Sequence, residues 1–90
     1  METRTCLLCG APADWEETPG EGGNLHYYSC SNPACGDYEI SITAQSALER
    51  ETFRINVRES ARYAREHGGY LSVTRSGTEE IVAKILPRKR

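Results

Sequence analysis

From residue 37 onward the side chains alternate. Asp37, Glu39 and Ser41 fall on one face of an extended segment and Tyr38, Ile40 and Ile42 on the other, the period-two pattern of a half-buried strand. Two strand-like runs precede it, residues 13–18 and 25–30, with Pro19-Gly-Glu-Gly-Gly-Asn24 between them. A turn-rich segment flanked by extended runs predicts a β-hairpin. The strand after Cys35 is placed to pair with the one before Cys30, giving three short antiparallel strands. Trp15, Tyr27 or Tyr28, and Tyr38 supply their small apolar layer.

After residue 42 the period changes. Thr43 is placed to cap a helix that opens with Ala44 and runs to His67, where Gly68 and Gly69 supply the stop. On a helical wheel Ala44, Leu48 and Ile55 lie on one side, whereas Phe53, Val57, Ser60, Ala61 and Ala64 form a different stripe. The mismatch predicts two helices broken near Glu51 and Thr52, with Thr52 capping the second; one helix clasped on two sides is the other arrangement. Residues 70–74 read as a short extended segment. Thr78, the acidic pair Glu79 and Glu80, apolar positions 81, 82, 85 and 86, and then Pro87 predict a short final helix. A hairpin between residues 70 and 86 is the alternative.

Composition limits what such elements can build. The chain has 90 residues, 38% of them hydrophobic, with one Phe, one Trp and one Met, which leaves room for a single compact unit with a thin core. No apolar run approaches the ~20 residues that cross a bilayer, so no membrane partner is expected. Met1-Glu-Thr-Arg leads into cysteines rather than an apolar signal sequence, and the expected location is cytoplasmic. Chains this small usually recruit disulfides or a metal.

The four cysteines form two close pairs, Cys6-x2-Cys9 and Cys30-x4-Cys35, with 20 residues between them. Two thiolates a few residues apart can turn toward one ion, and four complete a tetrahedral shell. One structural Zn2+ on Cys6, Cys9, Cys30 and Cys35 is therefore expected. Gly10 and Gly36 follow the second cysteine of each pair, where a positive φ would let the chain leave the knuckle. Disulfides would require an oxidising compartment, and a redox CxxC needs a helix start that Gly10-Ala-Pro-Ala does not provide. His26 and His67 read as ordinary surface histidines. The fold class expected is α+β: a small N-terminal zinc ribbon over 1–42, and an α-helical segment over 43–90 packed on it.

Charge separates the two parts. Residues 1–40 hold seven acids against Arg4 alone, while residues 41–90 hold ten bases against six acids. Arg54, Arg58, Arg62 and Arg65 form a ridge about 100° around the helix from the apolar stripe. A solvated face paired locally, Glu51 with Arg54 and Glu59 or Glu66 with Arg62, is the plain account. Guanidinium groups on one line can also grip acidic side chains or phosphates bidentately, and Arg88-Lys89-Arg90 adds a basic tail. The pI near 5.7 favours protein over nucleic acid as the partner. No Ser/His/Asp spacing, phosphate-cradling loop or paired carboxylates in a pocket setting is present. The expected function is therefore a non-enzymatic zinc-ribbon protein with no small-molecule substrate, binding an acidic macromolecule, protein foremost, through Arg54, Arg58, Arg62 and Arg65.

Two resemblances accompany this reading. Cys6-x2-Cys9, with Tyr27-Tyr28-Ser29-Cys30-Ser31-Asn32-x2-Cys35, is similar over residues 6 to about 42 to the zinc module of the Ogr/Delta family of phage late-transcription activators. That likeness implies contact with promoter DNA and RNA polymerase, and makes a nucleic-acid-binding regulator the alternative function. Over more of the chain, residues 35–48, the arginine-rich helix and Gly69-Tyr-Leu-Ser-Val-Thr leading into Glu79-Glu80-Ile81 resemble small bacterial zinc-ribbon proteins without known activity. Such ribbons occur beside signalling or defence domains, which implies an accessory role in a mobile element.

Overall fold

A computed structural model describes residues 2–20, 23–75 and 81–87. The chain forms a six-stranded mixed sheet in simple sequence order: β1 (Glu2–Thr5), β2 (Pro12–Gly20), β3 (Gly23–Cys30), β4 (Asp37–Ser41), β5 (Gly69–Arg75) and β6 (Ile81–Pro87). Every neighbouring pair is antiparallel except β4 and β5. A parallel pair needs a long crossover, and here it consists of α1 (Ile42–Gln45), a 3₁₀ turn (Ser46–Glu49) and α2 (Glu51–Glu66).

The expected ribbon plus helical C-terminal part is therefore corrected. The three ribbon strands exist as β2, β3 and β4, but they are the middle of a larger, mostly β structure. Three further strands extend it. On one edge β1 pairs with β2 from Glu2↔Trp15 to Thr5↔Pro12, and the Arg4 guanidinium lies 3.8 Å over the Trp15 ring. On the other, the segment expected as a final helix is β6, paired with β5 from Gly69↔Pro87 to Arg75↔Ile81. Ile81, Val82 and Ile85 are β-branched residues that suit a pleated surface, and without β6 the buried strand β5 would leave a row of backbone groups unpaired. The Thr78 cap and the basic tail lie outside the described residues.

The crossover does break, at Arg50, just before the expected Glu51–Thr52, and Thr52 lies inside α2 rather than capping it. Arg50 is extended (φ −78, ψ 117) between the 3₁₀ turn and α2, and no side chain caps α2. The cap of α1 is Ser41 rather than Thr43, its hydroxyl accepting from the Ala44 N–H at 3.2 Å. Gly68 ends α2 at φ +76.

One row of side chains carries the core. Trp15, Tyr28, Tyr38 and Leu71 sit opposite one another across β2, β3, β4 and β5, with the Tyr28 and Tyr38 rings stacked at 5.1 Å. Ala44, Leu48, Val57 and Ala61 of the crossover join this cluster. Gly36 does not take a positive φ. It sits so close to α2 that an added Cβ would lie 2.0 Å from the Ala61 carbonyl oxygen. The other sheet face holds Tyr27 edge-on against Tyr70 and the Ser72 hydroxyl donating to Glu39 at 2.9 Å.

Candidate metal centre

The two cysteine knuckles are the two turns at one end of the β1–β4 meander. Cys6 to Gly10 connects β1 to β2, and Cys30 to Gly36 connects β3 to β4. In the first, the Cys6 N–H donates to the Ala11 carbonyl at 2.8 Å and the Gly10 N–H to the Cys6 carbonyl at 3.0 Å. Gly10 takes φ +80, as its place after Cys9 predicts. In the second, the Asn32 side chain accepts from the Ala34 N–H at 2.9 Å and its carbonyl from the Cys35 N–H at 3.0 Å. Ser31 ties this turn to the start of β2, donating through its hydroxyl to the Pro12 carbonyl at 2.6 Å.

This arrangement brings the four sulfurs within 4.8 Å of one another. Cys6 and Cys35 are 3.8 Å apart and Cys9 and Cys30 3.3 Å apart, well beyond the roughly 2.05 Å of a disulfide. All four thiols are free. A tetrahedral ion with metal–sulfur bonds of about 2.3 Å sets its sulfurs about 3.8 Å apart, so the cluster could bind one metal ion with little movement. Cys6, Cys30 and Cys35 are buried and Cys9 is half-buried. His26 lies elsewhere, its Nε2 3.3 Å from Glu17 and its Nδ1 2.9 Å from Gln45, and His67 stacks on Tyr63.

Hydrogen bonding divides the thiols. The bond shared with Cys35 holds the Cys6 thiol well below the usual range, assisted by the Tyr38 hydroxyl and the backbone at Leu8 and Cys9, and opposed by burial. The same shared bond, followed by burial, pushes Cys35 up, while burial above all raises Cys30 to about 12. Metal binding must therefore displace protons, since thiolate is the ligating form.

Two residues expected in other roles, Tyr38 in the apolar layer and Arg65 in the partner-binding ridge, brace the knuckles. Tyr38, fully buried on β4, accepts from the Leu7 N–H at 3.0 Å and places its hydroxyl 3.4 Å from the Cys6 sulfur. Burial, then the contact with Cys6, pushes its phenol far above the usual range. From α2, Arg65 donates to the Cys30 carbonyl at 2.6 Å and the Asn32 carbonyl at 3.2 Å, and pairs with Asp37, which also accepts from Ser29 at 2.9 Å. Nothing in the spacing of residues 37 and 65 announces this contact; the only local signal is a polar Asp37 directly after a cysteine and a glycine.

The ridge arginines thus have different surroundings. Arg65 turns inward to the second knuckle, and Arg62 lies 3.9 Å from Glu66. Arg54 reaches the Leu48 carbonyl at 3.5 Å and, with Arg58, lines an open groove against the first knuckle. Neither Arg54 nor Arg58 has an ion-pair partner among the described residues. No helix among them is long and apolar enough to cross a membrane.

No family model, curated protein or solved structure matches the chain. The metal centre therefore rests on its own geometry.

Proposed function

We propose that this chain is a non-enzymatic zinc-binding interaction protein of a reducing, cytoplasmic compartment, whose α2 arginines recruit an acidic macromolecule, protein foremost. Tetrahedral all-sulfur sites suit zinc or iron, and a closed four-cysteine shell on two knuckles is the usual structural zinc arrangement. The zinc holds the β1–β2 turn against the β3–β4 turn and so fixes the knuckle that faces α2. The single observation that carries the reading is the pair of guanidinium groups, Arg54 and Arg58, standing beside that knuckle without a carboxylate partner among the described residues.

The test has two arms. Anaerobically reconstituted protein is expected to bind one colourless, zinc-sized equivalent per four thiols; a coloured iron centre would replace zinc in the reading. Zinc-loaded protein is then used to capture partners from lysate with and without nuclease, beside the R54E/R58E/R62E variant. A partner retained after nuclease and lost with the variant supports the proposal. Nuclease-sensitive capture, with affinity falling steeply in salt as counterions are recaptured, would favour a nucleic-acid-binding regulator instead.

A further inference from the structure

The groove between the first knuckle and α2 has a geometry that narrows the chemistry of the partner. It is open, about 560 Å³ in volume, with Leu7 and Cys9 on the knuckle side and Arg54, Ile55 and Arg58 on the helix side. Clefts of roughly 300 to 1,000 Å³ are the size at which proteins hold compact ligands. Ile55 is 37% exposed although it lies between the two arginines, so the helix wall is an apolar patch flanked by cations. Glu51 lines the same groove, leaving the guanidiniums in excess over carboxylates.

Spacing makes the match specific. Arg54 and Arg58 are one helical turn apart, about 6 Å along the axis at 1.5 Å per residue. Alternate residues of an extended chain are about 6.6 Å apart and point to the same side, while the residue between them points to the other. A segment lying along α2 can thus offer two carboxylates to the arginines and one aliphatic side chain to Leu7 on the opposite wall. We infer that the groove is a docking site for an extended peptide of acidic–aliphatic–acidic pattern on a protein partner. This deepens the function proposed above and rests on it. It also makes docking depend on the metal, because the Leu7 wall belongs to the zinc knuckle.

The experiment is selection of a random peptide display library on the zinc-loaded full chain, followed by fluorescence anisotropy with the enriched peptides. Each variant is first checked for zinc content and circular dichroism. Enrichment of acidic–aliphatic–acidic peptides is expected, with affinity falling about tenfold or more in R54Q/R58Q, as loss of charge-assisted bonds implies, and unchanged in R62Q, which lies off the groove. Equal loss in R62Q would leave the acidic-partner function standing and overturn the groove. Absence of any acidic preference in the selected peptides would overturn the groove as a carboxylate site, while the lysate capture with R54E/R58E/R62E separately decides the broader function. Loss of zinc from R54Q/R58Q would also overturn the inference, making both arginines counterions of the thiolate centre. So would displacement of the peptide by a short oligothymidylate, which would assign the groove to phosphates.

Discussion

Replacing Arg65 by methionine tests whether the arginine nearest the second knuckle is structural. The methionine keeps most of the aliphatic stem and removes only the guanidinium. In the native protein the Arg65 side chain is 24% exposed and that of Asp37 1% exposed, so the variant takes the guanidinium away from a buried carboxylate. Breaking a buried pair on one side costs about 3–5 kcal/mol. The partial exposure of Arg65 argues for the lower end, while loss of the donors to the Cys30 and Asn32 carbonyls works in the other direction, giving about 3–4 kcal/mol. Against a total stability of about 5–15 kcal/mol that is a large fraction, corresponding to a fall in melting temperature of roughly 15–30 °C for a domain of this size.

The assay is thermal and urea unfolding of zinc-loaded protein, followed by circular dichroism, with a competition titration for zinc. Asp37→Asn in the R65M background should recover a good part of the loss, since it removes the buried charge that Arg65 balanced, and the coupling should appear as non-additivity between the single and double variants. Zinc affinity should fall about 10- to 100-fold, the usual effect of losing a group that orients a metal ligand. An R65M protein that melts within about 2 °C of wild type would refute the argument and return Arg65 to the solvent-facing ridge. Equal destabilisation with and without Asp37→Asn would show that the hydrogen bonds to the Cys30 and Asn32 carbonyls, not the charge pair, are what Arg65 supplies.

Cys6→Ser or Cys35→Ser should abolish stoichiometric zinc binding and loosen the knuckle end of the sheet; a variant that keeps both metal and fold would remove that residue from the ligand set. Gly36→Ala should cost at least about 2–3 kcal/mol in urea unfolding, because its Cβ would sit 2.0 Å from the Ala61 carbonyl oxygen and α2 would have to lift from the sheet. Wild-type stability in that variant would mean that the helix is not seated as described. Tyr38→Phe deprives the Leu7 N–H of its acceptor and the Cys6 sulfur of its hydroxyl contact, and should cost about 1–3 kcal/mol with zinc affinity down about tenfold. Unchanged zinc affinity would reduce Tyr38 to a packing residue.

What could be read from the sequence was local. The cysteine spacing, the hairpin around residues 19–24 and the alternation through Tyr38 and Ile40 each lie within a few neighbouring residues, and the β2–β4 ribbon follows from them. The break near residue 50 was legible because two apolar stripes cannot share one helix. The remainder was set by distant pairing. Glu2–Thr5 is short, polar and exposed, without an alternating apolar face, and becomes a strand by joining β2 and placing Arg4 over Trp15. Residues 81–86 satisfy a helical stripe and a strand alternation alike, and only the open edge of β5 decides between them.

The position of the metal centre follows from that same topology. In a β1–β4 meander the first and third connections necessarily emerge at one end of the sheet, and those are the connections that carry the cysteine pairs. The last described β2–β3 pair, Gly20↔Gly23, lies at the other end of these strands, away from the cysteines. A metal there clasps turns belonging to two separate hairpins, so it constrains four strands rather than one loop. The helix is drawn into the same unit, because Arg65 near its end grips the second knuckle while Arg54 and Arg58 face the first. The charged face of α2 and the sulfur cluster are then parts of one structure, and a metal held by the four thiols would set the shape of the surface beside those arginines.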